Sequence, residues 1–359
     1  MAERLRIIQV NAFHYPFRGG IEHRIHHVSK RLAKKHEVIV LTSQLPNSSP
    51  EEEIDGYRVV RLPSRYINIY NPPYVTTHGI LDRLKELDGD VVDFHYRWAP
   101  TYNKAAQRYP GKKAFTFHNT YGEGVGITRI PSVVNDMGWK RHLNDFDRII
   151  CVSEFVRHDL EERGVDASKL VAIPNGIENP PVEPSYQEDD FILFVGRLVN
   201  TKGLKYLVQA MTKVPARLVI CGGGPEERRL RQQISKLGLE DKVELAGKVS
   251  EERKTQLMST CKLFVMPSIF ESYGIAVAEA MSYGKPIVAS NVGGLPEVVC
   301  DAGSLCRPKD HEDLAEKINS LLQDEEGRRE CARKAAKHAS GYSWDSIADR
   351  MDEEYRRIA

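Results

Sequence analysis

A chain of 359 residues with 51 Lys and Arg against 50 Asp and Glu carries almost no net field, which argues against a nucleic-acid binder held mainly by phosphate contacts. Its 41% hydrophobic and 28% charged residues are those of a water-soluble globular protein, long enough for two domains that each bury a core. Six cysteines scattered without CxxC spacing argue against a zinc site or disulfide framework and fit reduced cytoplasmic thiols.

The apolar run "LRIIQV" (5–10) predicts a first strand; it is too short to span a membrane, and no signal-peptide pattern follows it. In "IEHRIHHVSKRLAKK" the residues Ile21, Ile25, Val28 and Leu32 form one helical stripe. The β-branched runs "EVIVLTS", "VVDFHY", "KKAFTFH", "DRIICVS" and "LVAIPNG" then predict strands, with helix-like segments between most of them. A Pro-rich, acidic stretch, "ENPPVEPSYQEDD" (178–190), interrupts this alternation. It restarts through "FILFVGR", "ARLVICGGG", "KVELAG", "KLFVMPS" and "KPIVAS". The pattern predicts two α/β units whose parallel sheets are covered by helices on both faces.

In open parallel sheets, ligands bind beyond the carboxyl ends of the strands, so the residues just past each strand form a functional census. The first unit offers Asn11, His14, Gly19-Gly20, His95 to Trp98, His118-Asn119, Ser153-Glu154 and Asn175-Gly176. The second offers Gly196-Arg197, Gly222 to Gly224, Gly247, Ser268 to Glu271, and Ser290 with Gly293-Gly294. Two sheets with such polar, glycine-rich edges suggest one cleft between two domains.

The stretch "FESYGIAVAEAMSYGKPIVASNVGGLPEVV" (270–299) carries the sharpest signal. A helix is expected from Tyr273 or Gly274 to Gly284, with Pro286 behind it as a stop. Free N–H groups at Gly274, Ile275 and Ala276 form an anion site, favoured by the positive end of the helix dipole. Glu271 precedes that site and Glu279 lies about 7.5 Å along the helix from Gly274. A carboxylate accepts hydrogen bonds from both hydroxyls of a vicinal diol. Diol acceptor, anion site, diol acceptor is the order of a sugar nucleotide. Alone, the two acids are equally well explained as ordinary helix-start and surface residues.

The surroundings add weight. In "FVGRLVNTKGLKYL", Arg197 ends a strand and Lys202 precedes a helix, two cations able to neutralise a departing diphosphate without a metal. In "FRGGIEHR", Gly19-Gly20 lets backbone approach phosphate closely, although a plain tight turn explains it as well. In "CGGGPEERRL", Pro225 at the first helical position explains the turn without a ligand, so these glycines are structural or nucleotide-lining.

These residues resemble the retaining, GT-B-fold glycosyltransferases of family 4 (group 1). The resemblance rests on Glu271-x7-Glu279 with "EAMSYGKPIVAS" and "GGLPEVV", on "GR…KG" from Arg197 to Gly203, on "IPNG" (173–176) and on Gly19-Gly20. The motifs appear in family order and span nearly the whole chain. The resemblance implies two Rossmann-like domains facing across a cleft. Residues 1–178, joined by a final helix at 343–359, form the acceptor side, and residues 179–342 bind the nucleotide sugar. It implies that Glu271 binds donor-sugar hydroxyls and Glu279 the ribose. Arg197, Lys202 and the amides of Gly274, Ile275 and Ala276 hold the diphosphate, and His118 of "TFHNTYG" stands near the donor sugar. Glu178 stands where Asp is common and Tyr273 where Phe is usual; neither disturbs the donor site.

The implied activity is retaining, metal-independent transfer of a hexose from UDP- or GDP-hexose to a glycan, glycolipid or lipid-linked acceptor, with no cofactor. The expected location is the cytoplasm, with the inner face of the membrane as the alternative. Three competing readings are a nicotinamide dehydrogenase, a sugar-nucleotide epimerase of the same architecture and a non-catalytic sugar-nucleotide-binding protein. The first lacks GxGxxG after the first strand. "DGD" (88–90) and "DFD" (145–147) imitate a metal motif but lie at the amino ends of strands. His23 and His27 have zinc-ligand spacing, yet their helix face is expected to be solvated. "GWKRH" (138–142) reads as a solvated loop in preference to a membrane contact.

Overall fold

The computed structural model describes residues 3–17, 19–67, 73–119, 139, 141–178 and 188–359. Most of the Pro-rich break (179–187) and residues 138 and 140 of the "GWKRH" stretch lie outside them. The chain divides into two compact units, Met1–Gly176 with Trp344–Ala359, and Ile177–Ser343.

The first unit contains strands β1 (Arg6–Val10), β2 (Glu37–Ser43), β3 (Glu51–Ile54), β4 (Tyr57–Leu62), β5 (Ser64–Ile67), β6 (Tyr74–Thr77), β7 (Val91–Phe94), β8 (Lys113–Phe117), β9 (Arg148–Cys151) and β10 (Leu170–Ala172). Eight of them form one sheet in the order β10-β9-β8-β7-β1-β2-β4-β3. Its pairings are parallel except for β3, which runs antiparallel to β4 on the edge. β5 and β6 make a separate antiparallel ribbon.

Strands β3 to β6 depart from the expected strand–helix alternation. The β3–β4 hairpin is closed by Asp55 and Gly56, both at positive φ (46° and 87°), as a two-residue Asp-Gly hairpin loop requires. That dipeptide stands in the sequence between two β-capable runs, so the hairpin signal was present but outweighed by the parallel pattern around it.

The helix Gly20–Leu32 buries the expected stripe of Ile25, Val28 and Leu32, with Ile21 packed against it. The final helix, Trp344–Ile358, lies on it and adds Trp344, Ile347, Met351 and Tyr355 to the same core. This contact corrects the expectation for His23 and His27. His27 stacks on the Trp344 indole (centroids 5.0 Å apart, planes at 11°), and His23 meets the same ring edge-on at 5.7 Å. Burial and the neighbouring His23 push the His27 pKa down to about 3, so it packs as a neutral aromatic ring. The helical stripe alone could not show that a segment more than 300 residues away covers that face.

The second unit contains β11 (Phe191–Val195), β12 (Arg217–Cys221), β13 (Val243–Gly247), β14 (Leu263–Met266), β15 (Ile287–Ser290) and β16 (Gly303–Cys306). They form an all-parallel sheet in the order β13-β12-β11-β14-β15-β16. In each sheet the chain builds outward in one direction and then returns to build in the other. The reversal falls between β1 and β7 in the first unit and between β11 and β14 in the second. Such switch points open a crevice beyond the strand ends.

Candidate functional site

In the second unit, the loops after β11, β14 and β15 are knitted together by backbone contacts. The Ile269 N–H donates to the Thr201 carbonyl at 2.7 Å, and Gly294 N–H donates to the Glu271 carbonyl at 3.0 Å. Gly203 (φ +65°) and Gly293 (φ +55°) permit these approaches. A Cβ would stand 2.0 Å from the Pro267 oxygen at the first and 1.8 Å from the Glu271 oxygen at the second. The loop after β12 joins them through Leu198 N–H to the Gly223 carbonyl and Glu226 N–H to the Leu198 carbonyl, both 3.0 Å. The next helix is Glu227–Lys236, so Pro225 precedes its cap and is not its first residue. The glycine run therefore serves loop-to-loop packing.

On this backbone Lys202 and Glu271 form an ion pair, with 18% and 15% of their side chains accessible. Ser268 Oγ lies 3.4 Å from the same carboxylate oxygen. Arg197 is exposed and, among the described residues, has no ion-pair partner. The structure thus brings Lys202 and Glu271 into contact and leaves the Arg197 charge uncommitted.

The expected helix runs Ile275–Ser282 and is capped by Gly274 at φ 102°, with no side chain satisfying its first amides. Its first ladder bonds come from Val277 and Ala278 to the Gly274 carbonyl, so the N–H groups of Ile275 and Ala276 lie outside the ladder. Further along, Glu279 faces Lys254 at 3.6 Å. Burial raises the Glu279 pKa, opposed by the Lys254 ammonium. Burial works against the Lys254 charge, but Glu279 and Glu251 outweigh it and its pKa is raised. Sequence reasoning missed Lys254. It sits in the helix Glu251–Thr260, outside any motif, and only the fold brings it to Glu279.

In the first unit His118 follows β8 and meets His95, which follows β7: His95 Nδ1 and His118 Nε2 are 3.0 Å apart. Both rings are buried, and burial lowers the His95 pKa to about 4 and that of His118 well below its ordinary value. Gly19 caps the helix Gly20–Leu32, as expected of a strand-to-helix turn. The carboxylate of Glu22 turns back onto the turn, and the amides of Glu22 and Gly19 stabilise its charge. Asn11 Nδ2 donates to it at 3.0 Å. Burial nevertheless lifts the Glu22 pKa to about 7. The turn expected to receive a phosphate already holds a carboxylate of the chain itself. The discounted acids are structural: Asp90 accepts from Arg6 N–H at 2.6 Å and Asp147 from Lys113 N–H at 2.9 Å.

Residues 18–179 match glycosyltransferase family 4, and residues 177–338 match the glycosyl transferases group 1. The chain is 29% identical over 384 aligned residues to a phosphatidylinositol N-acetylglucosaminyltransferase component of Arabidopsis thaliana, covering 99% of this chain and 83% of the relative. Its fold matches sucrose-phosphate synthase from Thermosynechococcus elongatus with a TM-score of 0.82 at 22% identity, over 99% of both chains. It also matches Anabaena HepE, solved with UDP and glucose, with a TM-score of 0.78 at 20% identity over 98% of this chain and all of that one. The chain belongs to family 4 of the group 1 glycosyltransferases, an enzyme family of GT-B fold.

Proposed function

We propose that the enzyme moves a hexose from UDP- or GDP-hexose to a glycan, glycolipid or lipid-linked acceptor, with retention at the anomeric carbon and without a metal. The observation that carries this reading is the cluster at the β11/β14 switch point. It combines an uncommitted Arg197, a Lys202–Glu271 pair, open amides at Ile275 and Ala276, and Glu279 further along the helix.

In this reading Glu271 accepts from donor-sugar hydroxyls and Glu279 from the ribose diol. Arg197, Lys202 and the amides of Gly274, Ile275 and Ala276 hold the diphosphate, and His118 serves from the first unit, whereas the Gly19-Gly20 turn, which the Glu22 carboxylate fills, is left out of the phosphate site. The Lys202–Glu271 pair keeps two half-buried charges satisfied, since either one alone is costly to desolvate. A donor then takes both partners, its diphosphate meeting the ammonium and its hydroxyls the carboxylate. The bond from the anomeric carbon to phosphate breaks as the acceptor oxygen attacks from the same face. The leaving phosphate oxygen takes the acceptor's proton, and the two cations stabilise the charge it develops.

The 1–178 domain with 343–359 is assigned to the acceptor and 179–342 to the donor. The HepE structure with UDP and glucose and the lipid named in the Arabidopsis relative support a nucleotide-sugar donor and a lipid-linked acceptor. No described helix is long and apolar enough to cross a membrane. We assign the enzyme to cell-envelope glycan synthesis in the cytoplasm, with access to the inner membrane face.

Thermal stabilisation by a panel of UDP-, GDP- and ADP-hexoses identifies the donor, because a ligand that binds only the folded chain raises its stability. With the preferred nucleotide, Glu279→Ala is expected to weaken binding about tenfold or more, the loss of one charge-assisted hydrogen bond. Unchanged affinity would remove Glu279 from the donor site. Donor interconversion without an acceptor would favour an epimerase instead.

A further inference from the structure

The first unit contains a continuous chain of buried polar groups that ends at His118. Thr116 Oγ1 and the Tyr355 hydroxyl both donate to Asp93 Oδ2, at 2.7 and 2.6 Å. Gln9 Nε2 donates to the Tyr355 oxygen at 2.9 Å, and Gln9 Oε1 faces His95 Nε2 at 2.6 Å. The other nitrogen of His95 meets His118 Nε2. Gln9, Asp93, His95, Thr116, His118 and Tyr355 are all buried.

Their donors and acceptors allow one consistent arrangement. Tyr355 has a single proton, and the Asp93 carboxylate claims it. Its oxygen must therefore accept from Gln9, which turns the amide nitrogen toward Tyr355 and the carbonyl toward His95. A flipped Gln9 would need that same proton and would leave the Tyr355 oxygen facing the carboxylate at 2.6 Å with no hydrogen between them. A carbonyl at 2.6 Å demands a proton on His95 Nε2. In the neutral ring Nδ1 is then a lone pair, and His118 must donate to it from Nε2. That leaves His118 Nδ1 unprotonated and, among the described residues, without a hydrogen-bond partner. Burial holds both rings neutral, at His95 against the Asp93 carboxylate, whose Oδ2 lies 3.5 Å from His95 Nε2, and is helped by the nearby Arg24 guanidinium at each ring and by Arg97 at His118.

We infer that Gln9, His95 and Tyr355 are positioning residues that lock His118 in the Nε2–H tautomer, so that its Nδ1 is presented as a hydrogen-bond acceptor to a ligand hydroxyl. The function of the presented atom rests on the proposed glycosyl transfer; the tautomer does not. The inference ties the seating of the final helix, which supplies Tyr355, to the chemistry of a residue more than 200 positions earlier in the chain.

The test uses the full chain labelled with 15N-histidine, whose imidazole correlations report the tautomer directly. Wild-type His118 and His95 are both expected as the Nε2–H form. Tyr355→Phe keeps the ring in the core but frees the Gln9 amide to turn. His118 should then become a mixture of tautomers, and kcat with the hexose donor accepted in the panel should fall roughly tenfold at a nearly constant donor KM. Gln9→Glu sets a carboxylate on His95 Nε2 and favours the doubly protonated ring. Its Nδ1–H then faces His118 Nε2, so His118 should swap to the Nδ1–H form with a larger loss of kcat. A wild-type Nδ1–H His118, or a tautomer that neither substitution moves, overturns the relay. A tautomer that moves as stated while turnover stays at the wild-type level overturns the placement of His118 at the reacting site.

Discussion

Replacing Gly293 with alanine tests how the loops of the proposed donor site are held. At φ +55° an L-residue costs about 1–2 kcal/mol relative to its preferred backbone. The new Cβ would also stand 1.8 Å from the Glu271 carbonyl oxygen, and reaching even a 3.0 Å contact requires a shift of 1.2 Å. That oxygen also accepts the Gly294 N–H, so the strain falls on the backbone that carries the Glu271 side chain. Overpacking of this kind costs about 1–3 kcal/mol, for a combined loss of about 2–5 kcal/mol. Gly238→Ala is the matched control. It sits at φ +64° with nothing within 4 Å of the added Cβ, so it should lose only the backbone component, about 1–2 kcal/mol. Urea unfolding of the two variants, followed by hydrogen exchange in residues 177–343, measures the difference. The reacting geometry should suffer more than stability does. A displacement of about 1 Å at Glu271 is expected to lower kcat/KM about hundredfold, whereas Gly238→Ala leaves it near wild type. Equal stability loss and equal turnover in the two variants would refute the claim that loop contact positions Glu271.

The two cations differ in what they hold, and their variants should separate accordingly. In chelator, Arg197→Ala and Lys202→Ala are each expected to lower turnover about tenfold or more. Arg197→Ala should leave the melting temperature unchanged because the side chain is exposed and unpaired among the described residues, while Lys202→Ala strands the half-buried Glu271 and lowers it. Full activity in both would remove their role at the leaving group. Glu22 predicts a pH effect on stability. Its folded pKa is raised to about 7 from 4.5, so between those values the folded chain binds more protons than the unfolded one. Stability should therefore fall as pH rises through that window, by about 3 kcal/mol in total. Glu22→Gln should flatten that slope in unfolding measurements between pH 4.5 and 8; an unchanged slope would show that Glu22 ionises normally.

The geometry of the proposed donor site was largely legible because it is written in two short stretches, each local in sequence. The order of Glu271, Gly274 and Glu279 sets a cap and two carboxylates on a single helix whatever the rest of the fold does, and Arg197 with Lys202 follows a strand that its apolar run announces. What could not be read is what depends on partners distant in sequence. Lys254 meets Glu279 only because β13 and β14 lie in one sheet on opposite sides of β11 and β12. His95 stood in the census of strand ends, but no spacing rule joins it to Gln9 or to Tyr355, which lies 346 positions from Gln9. The misreading of His23 and His27 has the same origin. A helical stripe shows which face is apolar, not which later helix will cover the polar one.

The two units are built to fail differently. The donor-side loops are fixed by backbone contacts, so a single Cβ at Gly203 or Gly293 should disturb several loops at once. His118 is fixed by side chains in series, Tyr355 to Gln9 to His95, where an isosteric change alters protons while the rings stay in place. Backbone anchoring suits groups that must neutralise charge at a set distance, since electrostatic stabilisation depends on donors already in place. A proton chain suits a group whose task is to be an acceptor and not a donor, because the choice is made by the last fixed hydrogen bond in the series. The chemistry proposed for each set matches its construction: charge at Arg197, Lys202 and the helix amides, hydrogen-bond polarity at His118.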